Sequence, residues 1–397
     1  MKTTLKTLLL LLVATNTFAS DRIVQENGPT GTFSTISAAI TAAANGDRII
    51  IHPKIGDNPY VENITIDKTL EFASAQDGVR YKIQGSISLT AANNRTITII
   101  GAHITTGTIS GANAGWRTNV NIMGCLIEGG DISFNNQYYA SIVSNILQNG
   151  GITIAHGKII GNDLLAEDKI ISVLGSGSIT NDTVNIIANK TGRIFCSSDI
   201  FLNIYNNFIK SSIVSSGFYS IQYSYNSNTS NKLNIYNNTI ITPYSSSSVT
   251  LNYFLVINSP ALIKNNIFQR ITNNNISTSP RFGFGSGVNP IASYNYYNTV
   301  SINILSENNP VNVTSSPVNS STGQLILPTP ALDGADPSFE FYDLNLSVGD
   351  AGCYGGSYTL DNYFPITGSS RVFNIDMPFG ITTNGAPLNI KADGFDR

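Results

Sequence analysis

One octet recurs along the chain with little change. It reads Leu202-Asn203-Ile204-Tyr205-Asn206-Asn207-Phe208-Ile209, then Leu233-Asn234-Ile235-Tyr236-Asn237-Asn238-Thr239-Ile240, then Ala261-Leu262-Ile263-Lys264-Asn265-Asn266-Ile267-Phe268. Weaker copies upstream place the central isoleucine at positions 99, 122, 142, 159 and 186, ahead of 204, 235 and 263. The steps of 17 to 31 residues are what one turn of a solenoid needs. In such a chain each repeat buries its apolar face only against its neighbours.

The columns of the alignment predict where each side chain points. Two positions before the isoleucine and five after it the residues are apolar, as at Leu202 and Ile209 or Leu233 and Ile240, and these columns read as inward. Between them Gly101, Gly124, Ser144, Gly161, Ala188, Asn206, Asn237 and Asn265 form a column of small or left-handed-tolerant residues, which suits a tight bend between two strands. The next column is Ala102, Cys125, then Asn145, Asn162, Asn189, Asn207, Asn238 and Asn266. Stacked one strand spacing apart, such amides hydrogen-bond up the column and to the bend backbone. They hold the fold, so chemistry must be sought elsewhere.

Residues 1–20 carry Lys2, Lys6, an apolar run from Leu8 to Val13 and a small-residue end at Phe18-Ala19-Ser20, the layout of a cleaved secretory signal. The expectation is an exported protein, secreted, periplasmic or on the cell surface. The leader run is too short to span a bilayer and no second run of membrane length follows it. With 12% charged residues and a net charge of −3, the chain has no electrostatic attraction for nucleic acid. Cys125, Cys196 and Cys353 are too few for a disulfide framework and read as buried thiols.

Ser34 to Ala44 has the one clear amphipathic helical pattern, with Ile36, Ala39, Ile40 and Ala43 on one stripe, Ser34 or Thr35 as N-cap and Asn45-Gly46 as stop. It is expected to cap the start of the solenoid, ahead of strands at 48–52, 63–66 and 70–73. The run Thr35-Ile36-Ser37-Ala38-Ala39-Ile40, Asn45-Gly46-Asp47-Arg48-Ile49-Ile50-Ile51 and Val61-Glu62-Asn63-Ile64-Thr65-Ile66-Asp67-Lys68 resembles the amino-terminal segment of the pectin-lyase-like superfamily. With the asparagine column, the resemblance covers about residues 30 to 300. It implies a right-handed parallel β-helix of three sheets, in an all-β chain with an N-terminal capping helix and a C-terminal β cap. The β-helix with its cap helix is expected over 21–330, its last part, 301–330, dissolving into Asn, Ser, Thr and Pro. Residues 331–397 form the C-terminal cap and strand extension. There Asp336-Pro337-Ser338-Phe339, Tyr342-Asp343-Leu344 and Asp350-Ala351-Gly352-Cys353-Tyr354-Gly355-Gly356 resemble the closing segment of exported bacterial β-helix proteins, and 370–390 reads as two further strands.

In enzymes of that superfamily the first strand of each coil forms the floor of the substrate groove. Alternation places Ile109, Ile132, Ile152, Ile171, Ile194 and Ile221 of these strands inward, and Ser110, Asp131, Ser133, Thr153, Ser172, Arg193, Ser220 and Gln222 outward. Asp131, Ser133, Thr153, Ser172, Arg193 and Gln222 are the candidate ligand-binding residues. Asp131 and Arg193 stand three coils apart, about 14 Å, too far to act as one acid–base pair. Catalytic residues are not assigned.

The residues leave three functional readings. The first is an extracellular or surface protein that binds polysaccharide without cleaving it and needs no cofactor. Tyr205, Tyr236, Tyr244, Tyr253, Phe282 and Phe284, set among serines and asparagines, offer aromatic faces to neutral sugars, although Tyr205 and Tyr236 also suit stacking on one another. The second is a polysaccharide lyase acting on uronate glycans. Its Ca²⁺ would come to Glu128, Asp131, Glu167 and Asp168, with His156 and Asp163 nearby and Lys158 or Arg193 as base. The third is a structural or adhesive surface protein. Against hydrolysis, Glu307 is the only carboxylate between Asp199 and Asp333, so a paired-carboxylate site has no second member there. The segments that resemble pectin methylesterases, polygalacturonases and pectate lyases are missing as well.

Overall fold

The computed structural model describes residues 19–112, 117–175, 182–211, 218–226, 232–242, 252–270, 281–298, 308–366, 370–376 and 391–396. The leader up to residue 18, Tyr244, Glu307 and residues 377–390 of the stretch expected as strand lie outside these segments. The chain is a parallel β-helix. A first sheet of 10 strands runs from Ile64–Ile66 to Arg281–Phe284, a second of 12 from Asp21–Val24 to Ile291–Ser293, and a third of 12 from Tyr60–Val61 to Val311–Asn312. Each coil passes from second to third to first sheet, and every strand pairs in parallel with its counterpart one coil away. The octets stack in the register that the alignment requires, Leu202 on Leu233 on Ala261 and Ile204 on Ile235 on Ile263. β-branched isoleucine suits a pleated surface, and the isoleucine column is buried throughout. Among the described residues no helix is long and apolar enough to cross a membrane.

The bend between second and third sheets is built as the small-residue column demands. Gly101, Gly124, Ser144, Gly161, Ala188, Asn206, Asn237 and Asn265 all have φ between 53° and 66°. Tyr294 repeats that conformation and Asn295 continues the asparagine column, one coil beyond the six asparagines read from the sequence. Each inner amide is fully used. Asn207 Nδ2 donates to Asn238 Oδ1 at 3.0 Å and to the Ile186 carbonyl at 2.9 Å, while its Oδ1 accepts from Asn189 N and Nδ2 at 2.9 and 3.0 Å. The pattern repeats from Asn145 to Asn295. Cys125 starts the column: its N–H donates to Asn145 Oδ1, and burial pushes its thiol up to about 11. All three cysteines are free and buried.

Helix α1 (Ile36–Ala42) lies over the start of the solenoid with Ile36, Ala39 and Ile40 in the core. Thr35 is its N-cap. Glu62 closes the N-terminus further, accepting from Ile36 N at 2.8 Å, Ser37 N at 2.9 Å and Ser37 Oγ at 2.5 Å. Lys68 Nζ donates to the carbonyls of Ile40, Thr41 and Ala43 at the other end. Opposite charges thus face the two ends of the helix dipole.

The C-terminal portion completes the third sheet and then covers the flank of the solenoid. Val311–Asn312 adds the last strand of the third sheet, but the chain from 331 to 366 runs back along the flank, over the bend. Asp336 pairs with Lys264, Cys353 N donates to Thr239 Oγ1, Tyr358 stacks on Tyr205 at 6.3 Å, and Phe364 lies under Lys190. The physical reason is a second apolar column. Met123, Val143, Ile160 and Ile187 follow the inward isoleucines and point out of the solenoid. With Phe208, Ile241 and Ile267 they form a strip that Ala331, Ala351, Cys353 and Leu360 cover. Strands Ser370–Asp376 and Lys391–Asp396 then pair as an antiparallel hairpin.

Candidate functional site: the outer face of the first sheet

One outward column of the first sheet runs in unbroken register through Thr65, Ser88, Ser110, Ser133, Thr153 and Ser172, then Phe195, Gln222, Val256 and Gly283. Four of the candidate residues share this column. Ser133 is exposed and Thr153 and Gln222 are half-buried. Ser172, expected as a surface group, is only 6% exposed, lying between Thr153 and Phe195 in the sheet. Asp131 and Arg193 belong to the parallel column two residues earlier, on strands three apart. Asp131 is exposed and accepts from Gly151 N at 2.7 Å.

Ser220 corrects the alternation. It is fully buried, and its hydroxyl lies 2.9 Å from Thr242 Oγ1 of the third sheet. The pairing of Tyr253–Ile257 with Arg281–Phe284 slips by one residue between Tyr253 and Leu255, and Phe254 and Leu255 are both buried. An extra residue in a strand lets two consecutive side chains face one way. The bulge sends Ser220 and Phe254 inward, and Tyr219 and its lateral neighbour Tyr253 take the outer places.

Tyr219 sits beside the two residues that precede it on this face. Its ring centroid is 6.2 Å from that of Phe195, and the Arg193 guanidinium carbon is 5.4 Å from it. No carboxylate among the described residues pairs with Arg193, so the ring is its partner, a contact of the cation–π kind. A Cβ built on Gly283 would meet Tyr253 Cε1 at 3.3 Å and Val256 Cγ2 at 3.6 Å, so the absent side chain leaves room for the Tyr253 ring beside this strand. Arg193, Phe195, Tyr219, Gln222 and Tyr253 form a strip of aromatic faces with a cation at one end and a neutral amide within it.

The other aromatic candidates are spent inside the fold. Tyr205 and Tyr236 stack on each other at 5.2 Å with planes 6° apart, and Phe341 meets Tyr236 edge-on at 5.6 Å. Phe282 packs against Phe254, Phe268 and Tyr297. Phe284 is packed against the same core. Sequence reasoning missed Phe195 and Tyr219 because strict alternation assigns Tyr219 to the inside. The signal for the bulge was the consecutive apolar pair Phe254-Leu255, which breaks strict alternation one coil on from Ser220-Ile221.

The lyase candidates do not converge. Glu128 Oε1 is 2.7 Å from His103 Nε2, Glu167 pairs with Lys210 at 2.5 Å, and Asp168 lies 3.4 Å from Lys169. His156 is buried with Nδ1 2.6 Å from Asp182, which also meets Arg117 at 3.2 Å. Burial, helped by the Arg117 charge and opposed by Asp182, holds its pKa below the ordinary histidine value. The three carboxylates among the described residues whose oxygens all lie within 4.8 Å of one another are Asp333, Asp343 and Asp350, on the segment that covers the bend. Burial, and then the Asp350 and Asp333 charges, push Asp343 up to about 6 against the hydrogen bond from Gly356 N. No protein-family model matches the sequence, and no curated protein matches it either.

Proposed function

We propose that this is an exported β-helix protein of the pectin-lyase-like kind that binds an extracellular polysaccharide along the outer face of its first sheet, without cleaving it. The observation that carries the reading is the bulge that places Tyr219 and Tyr253 on that face, next to Phe195 and Arg193. Aromatic rings with one apolar face and nearby hydrogen-bonding groups match the C–H faces and hydroxyls of sugars. The strand repeat of about 4.8 Å sets these groups along the solenoid axis at intervals close to the length of one pyranose unit. Secretory-signal features in residues 1–20 support export.

The experiment is a glycan-array screen of the mature chain with and without Ca²⁺, repeated with Tyr219→Ala. Binding to at least one polysaccharide is expected, independent of Ca²⁺ and weakened by at least about tenfold, near 1.4 kcal/mol, in the variant. A chain that binds no glycan, or whose binding ignores Tyr219, would return the protein to a structural or adhesive role.

A further inference from the structure

A cavity of about 540 Å³ lies on the second sheet, between its outer face and the C-terminal hairpin. Four consecutive strands line it with Thr96, then Asn119 and Asn121, then Tyr139 and Ser141, then Lys158, and Ala392 and Gly394 of the hairpin form part of its wall. From the Asn119 strand to the Lys158 strand is about 10 Å, two strand spacings, close to the length of two pyranose rings. The volume lies within the range of about 300–1,000 Å³ typical of small-molecule sites.

The side chains of this cavity have hydrogen-bonding capacity left over. Asn121 Nδ2 donates to Thr98 Oγ1 at 3.0 Å, which leaves its carbonyl oxygen for another donor. Ser141 is 5% exposed, and among the described residues no partner takes its hydroxyl. Asn119 and Tyr139 likewise make no side-chain hydrogen bond to a described residue, and Tyr139 keeps 43% of its surface exposed. The Ser141 hydroxyl opens on the cavity, where a ligand hydroxyl can take the place of solvent on it. Lys158, the one charged side chain of the lining among the described residues, is already engaged within the protein. The chemistry is therefore neutral, with donors and acceptors on three coils and an aromatic face.

We infer that this cavity is a second saccharide site, distinct from the first-sheet strip, that takes one or two units of a neutral sugar between the second sheet and the hairpin. Tyr139 stacks on the ring, and Asn119, Asn121 and Ser141 take its hydroxyls. The site stands or falls independently of polysaccharide binding on the first sheet.

The test uses the full mature chain and calorimetric titration with cellobiose, maltose, lactose, N,N′-diacetylchitobiose and digalacturonate, backed by saturation-transfer NMR. At least one neutral disaccharide is expected to bind, with affinity reduced by at least about tenfold in both Tyr139→Ala and Asn119→Leu and unchanged in Tyr219→Ala. Both altered residues have exposed surface, so circular dichroism and melting should match the parent. The inference is overturned if no disaccharide binds, if binding survives both second-sheet substitutions, or if Tyr219→Ala abolishes it. Preferred binding of digalacturonate that is lost in Lys158→Gln would overturn the assignment to neutral sugars.

Discussion

An asparagine can face the interior of this solenoid because both ends of its amide find partners in the adjacent coils. Replacing Asn207 by Leu would leave Asn189 N, fully buried, without its acceptor and break the run of amides on both sides. A destabilisation of roughly 1–3 kcal/mol is expected. Asn203, three residues before the bend residue Asn206, sits in a shorter outer ladder, donating to Asn185 Oδ1 and accepting from Asn234 Nδ2 at 2.8 Å each. Half-buried and wet, it should lose less than about 1 kcal/mol on change to Ala. Urea midpoints of the two variants compare the ladders, and equal shifts would contradict the inner and outer assignment. Asp343 offers a test with the opposite sign. Its folded pKa of about 6 exceeds the ordinary 3.8, so the folded chain holds the extra proton between those values. Its contribution to stability is full below 3.8 and is lost as pH rises through about 6. Asp343→Asn should therefore be more stable than the parent at pH 7.5, by about 1 kcal/mol once solvent screening is allowed for. The advantage should vanish near pH 4. A difference in urea midpoint that does not change with pH would sink the account.

Elements were readable where their signals are local. Thr35 and the Ile36, Ala39, Ile40 stripe mark helix α1, and the small-residue column marks every bend from Gly101 to Asn265. What closes the helix was not readable, because Glu62 and Lys68 reach it from 25 to 28 residues away. The C-terminal flank was hidden for a related reason. Doublets such as Ile142-Val143 and Ile159-Ile160 look like uninterrupted strand core, yet alternation sends the second residue outward, where a distant segment must cover it. At the candidate site, the hydroxyl-rich column from Ser110 to Thr153 followed from period two, while the bulge at Phe254 and the inward turn of Ser220 did not. A helix of seven residues does not persist alone, so Glu62 should matter well beyond a surface charge. Glu62→Ala leaves two backbone N–H groups and a hydroxyl without their acceptor, and a loss of about 1–3 kcal/mol is expected. Cleavage of the 43–47 turn in limited proteolysis should accelerate with it. Glu71→Ala, which removes an exposed pair with Arg48, is the control and should stay within about 0.5 kcal/mol. Equal effects of the two would mean that the helix is not held by Glu62.

At the scale of the whole molecule the solenoid separates its surfaces by chemistry. The second-to-third bend is sealed by the C-terminal segment, and the first sheet presents hydroxyls at its start and aromatic rings further on. Lyase chemistry needs a base beside the proton removed and clustered groups to neutralise a uronate carboxylate, all held together. Here Asp131 and Arg193 stand three strands apart, about 14 Å. Arg193 rests on Tyr219, Asp131 accepts from Gly151 N, and Glu128 and Glu167 are each paired with a cation or a histidine. Bringing Glu128, Asp131, Glu167 and Asp168 around one Ca²⁺ would require breaking those contacts and moving more than one coil. The expectation is that the protein does not cleave uronate polymers. Incubation with pectate, alginate and glycosaminoglycans in Ca²⁺, followed by the ultraviolet absorbance of unsaturated products, checks it. Absorbance should stay at the level of a protein-free control over hours. Steady product formation that disappears in Asp131→Ala or Arg193→Ala would show that the strip on the first sheet is a catalytic groove and would replace the binding reading with a lyase.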